Sequence, residues 1–235
     1  MARRVRMLVV AVVVVGVLVG CGGGVLPAGA ELRGTAVGSA GAPVLGVGFG
    51  MVDLSMVTTA GLIPIGGATY VTGLHPVASD GSFRLPLPAA ADIPTAVLAP
   101  ADGFLFDPPA GCGLSADPPA ALVSGHVFGD RGALPGVYVA STDGLAFAAV
   151  TETAIDMTDP KAYAGRFLVW LYADRPVLVA AVGAGCAGKL DLLLSLERGW
   201  NAVGYVYDQP TDSFTVRGAE GVGNVIVTPF PPAGP

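Results

Sequence analysis

The chain has 235 residues, of which 52% are hydrophobic and 13% charged, with 35 glycines, 20 prolines and a net charge of −6. That apolar content excludes a disordered chain, which lacks the surface whose burial offsets ordering entropy. Three of the twelve basic residues stand within the first six positions, so residues 21–235 hold nine bases against eighteen acids; with no basic cluster left, nucleic acid is excluded as a partner and electrostatic attraction to an anionic bilayer is ruled out.

Residues 1–20 fall into two physical parts. Residues 1–6 (MARRVR) are basic, and residues 7–20 (MLVVAVVVVGVLVG) form an apolar run of fourteen. A membrane-spanning helix needs about 20 such residues. A basic start followed by a shorter apolar run is the pattern of a secretory signal peptide, and the three glycines after Cys21 would break a helix. At the end of the run, Leu18-Val19-Gly20-Cys21 resembles the lipobox of bacterial lipoproteins. The resemblance implies cleavage before Cys21, a diacylglyceryl group on its thiol and often an acyl chain, such as palmitate, on its new amino group. It further implies export, with the chain lipid-anchored at Cys21 to the outer face of the cell membrane or to an outer-membrane leaflet. Each buried methylene contributes about 0.8 kcal/mol, so two or more acyl chains anchor stably where one is marginal. The alternatives are an uncleaved signal anchor, or ordinary secretion with Cys21 a free thiol. Residues 21–30, Gly-rich at the start, read as a flexible tether.

Beyond the tether the pattern is of short strands and turns. Strands are predicted at 31–37, 44–52 and 68–72, then a turn at 79–82 leading into 83–85, and a strand at 95–98. Residues 100–119 are rich in Pro and Gly and read as a domain boundary or a long connecting loop. Further strands are predicted at 122–128, 136–140, 145–151 and 166–172 (RFLVWLY), the last turning at 173–176 into 177–182. Residues 189–198 (KLDLLLSLER) are ambiguous between helix and strand, but their leucines alternate, which favours a strand. Residues 191–196 and 201–207 then look like a pair around the turn 197–200. Strands at 214–217 and 224–228 close the series, and residues 152–164 are the one place for a short helix. Recurrence every 8–12 residues or so is the signature of an all-β, antiparallel β-sandwich or barrel. The organisation expected is one or two β lobes, at 31–118 and 119–230, with a Pro-rich tail at 231–235.

Residues 79–88 (SDGSFRLPLP) resemble a feature of transthyretin-like or carboxypeptidase-regulatory-like β-sandwich modules, in which an Asp-Gly turn leads into an aromatic residue and then Leu-Pro. Together with Tyr172-Ala173-Asp174-Arg175 and Gly199-Trp200-Asn201, the segment is similar to poorly characterised bacterial lipoproteins. That likeness implies a fold and no activity.

Two cysteines remain, Cys112 and Cys186, both in Gly-rich surroundings. In an exported chain such a pair usually forms a disulfide, the alternative being two separate buried thiols. The spacing is not the C-x-x-C of a redox-active pair.

Catalytic chemistry leaves little trace. Gly38-Ser39-Ala40-Gly41 is not a G-x-S-x-G nucleophile elbow. His75 and His126 stand singly, without H-E-x-x-H spacing or any other metal pattern, so neither a catalytic residue nor a metal or cofactor is assigned. Asp102, Asp107 and Asp117 suit turns, and a carboxylate pair for glycoside hydrolysis would have to be assembled by the fold. Aromatic residues gather in the second half. Trp170 and Tyr172 share one strand face, as do Tyr205 and Tyr207, and Trp200 sits at a turn. Trp170, Tyr172 and Trp200 could stack on a sugar or apolar ligand, although core packing is the commoner use of such rings. The expectation is a non-enzymatic binding or structural module of the cell envelope, with the membrane and an unidentified envelope protein as partners. The second reading is a small-ligand or carbohydrate binder, and the third an envelope hydrolase.

Overall fold

In the computed structural model the described residues are 25–26, 30–38, 43–53, 68–71, 73–93, 98–101, 109–119, 121–123, 133–142, 144–155, 166–208, 210–219 and 221–229. They form strands β1 (Val25–Leu26), β2 (Glu31–Ala36), β3 (Val44–Asp53), β4 (Ala68–Val71), β5 (His75–Pro76), β6 (Ser82–Pro86), β7 (Ala99–Pro100), β8 (Gly113–Asp117) and β9 (Ala121–Val123). Next come β10 (Ala133–Ser141), β11 (Gly144–Thr151), β12 (Arg166–Ala173), β13 (Val177–Val182) and β14 (Leu190–Leu196). β15 (Gly199–Asp208), β16 (Ser213–Gly218) and β17 (Val225–Pro229) complete the set. Helical structure among the described residues is confined to 3-10 conformation, as in the single turns at Ala90–Asp92 and Ala184–Cys186. The fold is therefore all-β.

One run of pairings goes β6–β2–β17–β11–β10–β3–β5, antiparallel except for β17 with β2. In a flat sheet six inter-strand steps would hold β5 and β6 roughly 29 Å apart. Yet residues 77–81 join them in a tight turn, in which the Ala78 N–H donates to Ser82 O and the Gly81 N–H to Ala78 O, both at 2.9 Å. The sheet must curl until its ends meet. Inside the curl lie Leu32, Val47, Phe49, Leu85, Val137, Val139 and Val227, at alternate positions of their strands. On the opposite face of β3 stands Gly48, and Tyr138 of β10, directly across from it, lies where a Gly48 Cβ would be. The glycine thus leaves room for a ring that is itself 7% exposed.

The second run goes β8–β13–β14–β16–β15–β12, with β14 and β16 parallel. It encloses another apolar cluster, including Val179, Leu192, Leu194, Leu196, Val203 and Val216. β12 and β15 belong to both clusters. Leu168, Trp170, Tyr172, Trp200 and Ala202 face the first, whereas Leu171, Ala173 and Val203 face the second. A strand buried on both faces favours apolar residues at every position, which accounts for the apolar run Phe167–Ala173 in β12. Each cluster takes residues from both sides of Pro118.

The structure corrects several expected elements. β14 is a strand whose even-numbered leucines are buried, but it does not pair with β15. β16 lies between them and ends at Gly218. Beyond that end the chain passes from β14 to β15 through a turn held by Asn201, which is fully buried. Its Oδ1 accepts the Glu197 N–H at 3.0 Å, and its Nδ2 donates to Glu197 O and Gly199 O at 2.8 Å each. Residues 100–119 are not purely loop, since β8 runs along β13 there. Nor is the tether wholly free, because β1 pairs with β15 at Val25↔Asn201 and Leu26↔Trp200. The strand expected at 95–98 falls mostly outside the described residues, and β7 follows it at Ala99–Pro100. Residues 152–155 are not helical, and 156–164 lie outside the described residues.

Candidate functional site

Cys21 and the rest of the lipobox lie outside the described residues, as do His126, Asp102 and Asp107. The nearest described residue is Val25.

Cys112 and Cys186 form a disulfide, with S–S 1.97 Å and Cα–Cα 4.7 Å. It ties the start of β8 to the 3-10 turn after β13. The glycines around it have a steric cause. The Gly185 N–H donates to Gly111 O at 3.1 Å, and a Cβ on Gly185 would run into the backbone of Ala110 and Gly111. Two backbone segments in direct contact require glycine, and AGCGL and GAGCAGK show this composition.

The three candidate ligand-stacking rings are interior. Trp170, Tyr172 and Trp200 are 2%, 7% and 4% exposed and pack in the first cluster. Trp200 meets Phe49 and Tyr172 edge-on, with centroids 5.1 and 5.5 Å apart, and its Nε1–H donates to Pro88 O at 2.7 Å. Trp170 Nε1 is buried without a hydrogen-bond partner among the described residues. No ring of the three presents a face to solvent, so they do not make the platform that the second reading required. Tyr205 faces the second cluster, where burial raises the pKa of its hydroxyl, and Tyr207 stacks on Phe214.

The titratable groups are dispersed. His75 is half-buried on β5, opposite Val47. Among the described residues no three His, Cys, Asp or Glu side chains come close enough to hold a metal ion. Asp80 serves its turn: its Oδ1 accepts the Ser82 N–H at 2.9 Å, and bonds from Ser82 hold its carboxyl below the usual range. Asp117 is exposed at the end of β8, before a cis peptide to Pro118.

One concave feature was not legible from sequence. A cleft of about 670 Å³ is lined by Arg33, Thr35, Ser82 and Arg84 on the outward face of β2 and β6, by residues 76–78, and by Asn224. Arg33 and Arg84 are directly opposite in the β2–β6 register. Both reach the same carboxylate oxygen, Glu31 Oε1, from Arg33 Nε at 2.6 Å and Arg84 Nη1 at 3.7 Å. The sequence signal is only that each arginine occupies an outward position of an alternating strand. Fifty residues separate them, and nothing local predicts that register. No protein-family model matches the chain, and no curated protein and no solved structure matches it significantly, so the geometry has to carry the functional reading.

Proposed function

We propose that this chain is an exported protein, lipid-anchored at Cys21 to the outer face of the cell membrane or an outer-membrane leaflet. There its β domain acts as a non-enzymatic binding or structural module of the envelope. The observation that carries the reading is the Cys112–Cys186 disulfide. Disulfides persist in oxidising compartments and are rare in the cytosol, so the bond agrees with the export implied by the basic and apolar leader. The lipobox-like Leu18-Val19-Gly20-Cys21 adds the means of retention. The acidic balance of residues 21–235 supplies no electrostatic hold on an anionic bilayer, which leaves the lipid as the anchor.

The test is metabolic labelling with radioactive palmitate in cells producing the wild-type chain or Cys21→Ala. Label is expected on the wild type only, together with a mobility change as the leader is removed. Equal label on both chains, or on neither, would overturn the anchor. Blocking free thiols before and after reduction tests export separately: Cys112 and Cys186 should react only after reduction.

A further inference from the structure

We propose that the cleft beside β2 and β6 binds a small organic anion, its oxyanion group gripped by Arg33 and Arg84 and its apolar part resting on Pro76 and Val77. Among the described residues, Arg175, Lys189 and Arg217 each face a carboxylate of their own, on Asp174, Asp212 and Asp191. Arg33 and Arg84 share one, Glu31. Two guanidiniums thus share a single carboxylate, and the next one, Asp80, is held at the rim by Ser82, on a chain that is otherwise acidic.

Like charges placed directly opposite on an antiparallel pair repel. A second anion between the two guanidiniums relieves that repulsion. Two guanidiniums carry ten N–H donors in planar forks that match the oxygens of a carboxylate or phosphate, and Glu31 Oε1 occupies few of them. Both side chains are more than half exposed, at 56% and 69%, so an incoming anion meets them without displacing packed structure. Thr35 stands opposite Ser82 one step along the same face and adds a hydroxyl donor, while the Ser82 hydroxyl is held by Asp80. The volume exceeds what an inorganic anion fills and lies in the range of small-molecule sites. Pro76 and Val77 make part of the wall apolar, which favours an anion with an organic body. The surrounding negative charge disfavours long polyanions. Because the arginines are solvated, affinity is modest and falls with salt.

This assigns a ligand class to the binding reading above but does not rest on Cys21, so the arginine variants and Cys21→Ala can fail independently. The full-length chain, isotope-labelled and held in a non-ionic detergent, is titrated at low salt with phenyl phosphate, benzoate and phenol while amide resonances are followed. Saturable shifts are expected at Gly34, Thr35, Ser82 and Arg84 with phenyl phosphate, with benzoate or with both, at a Kd on the order of 1 mM. Phenol, which has the ring without the anion, should leave them unmoved. In R33Q/R84Q the affinity should fall about tenfold or more, the loss expected for charge-assisted hydrogen bonds. E31Q, which releases both guanidiniums from their shared carboxylate, should bind more tightly, and it serves as the test if the double variant fails to fold. Overturning results are no saturation with either anion, equal shifts with phenol, undiminished affinity in a folded R33Q/R84Q, or no tightening in E31Q.

Discussion

Removing the Cys112–Cys186 bond is the perturbation whose magnitude follows most directly from the structure. The bond joins residues 74 apart in sequence. The chain-entropy argument assigns a closed loop of that length an unfolded-state entropy loss of about 15 cal/mol/K, or about 4.5 kcal/mol at 25 °C. A domain of this size is stable by about 5–15 kcal/mol in all, so reduction should consume much of the margin. At about 2–4 °C per kcal/mol, the midpoint of thermal unfolding should fall by about 10 °C or more. The assay is circular dichroism through thermal and guanidinium unfolding, with and without a thiol reductant. Reduced wild type retains both sulfurs in place. Cys112→Ala/Cys186→Ala also removes the sulfur of Cys186, a residue only 7% exposed, and should lose somewhat more through the cavity. A shift of less than about 1 kcal/mol on reduction, a fraction of the loop-closure figure, would refute the reasoning, because the unfolded chain would then not be constrained by a loop of this length.

Three further outcomes follow from individual contacts. Asn201→Ala removes the bonds that hold the β14–β15 turn and leaves the Glu197 N–H and two carbonyls without them. A loss of about 3 kcal/mol is expected in guanidinium unfolding, and a loss under about 1 kcal/mol would show that the turn does not need the side chain. Trp200→Phe keeps a ring against Phe49 and Tyr172 but deletes the donor to Pro88 O. Destabilisation of about 2 kcal/mol should appear in the same assay, and a neutral result would count against a buried hydrogen bond there. Asp80 and Asp212 are both held below the ordinary carboxylate value of 3.8, Asp80 by bonds from Ser82 and Asp212 by Tyr207 and Lys189. A depressed folded-state pKa contributes stability that is present above the unfolded value and is lost as pH falls through the folded one. Asp80→Asn/Asp212→Asn should therefore flatten the dependence of stability on pH below about 4 and leave its slope near neutrality unchanged, as read by unfolding midpoints from pH 2 to pH 7.

Much of the secondary structure was legible because it depends on neighbours in sequence. The alternating leucines of 190–196 bury one side of a strand, and the Ser79–Ser82 turn carries an Asp-Gly signal that the structure uses, with Asp80 bonding Ser82. The Cys112–Cys186 bond was legible because the expectation of export left two cysteines to pair; the close backbone contact that requires the glycines around them was seen only in the structure. The pairing of β14 with β15 was misread because a short turn normally makes a hairpin. Here β16 ends early enough for the chain to step across it, and the buried Asn201 holds that step.

By itself the sequence determined that the chain folds, that it folds as strands and turns, and where most strands lie. Those outcomes rest on composition and on period-two patterning, which act within a few residues. Only the tertiary structure decided that β12 and β15 are shared between two cores, that Trp170, Tyr172 and Trp200 are packed inside one of them, and that Arg33 stands beside Arg84 on one wall of a cleft. Every strand offers a partner the same row of N–H and C=O groups, so the backbone does not specify which strands pair. Partner and register are chosen by how well all the side chains are buried at once, a sum over residues as much as 197 positions apart in the first core, from Ala30 to Val227.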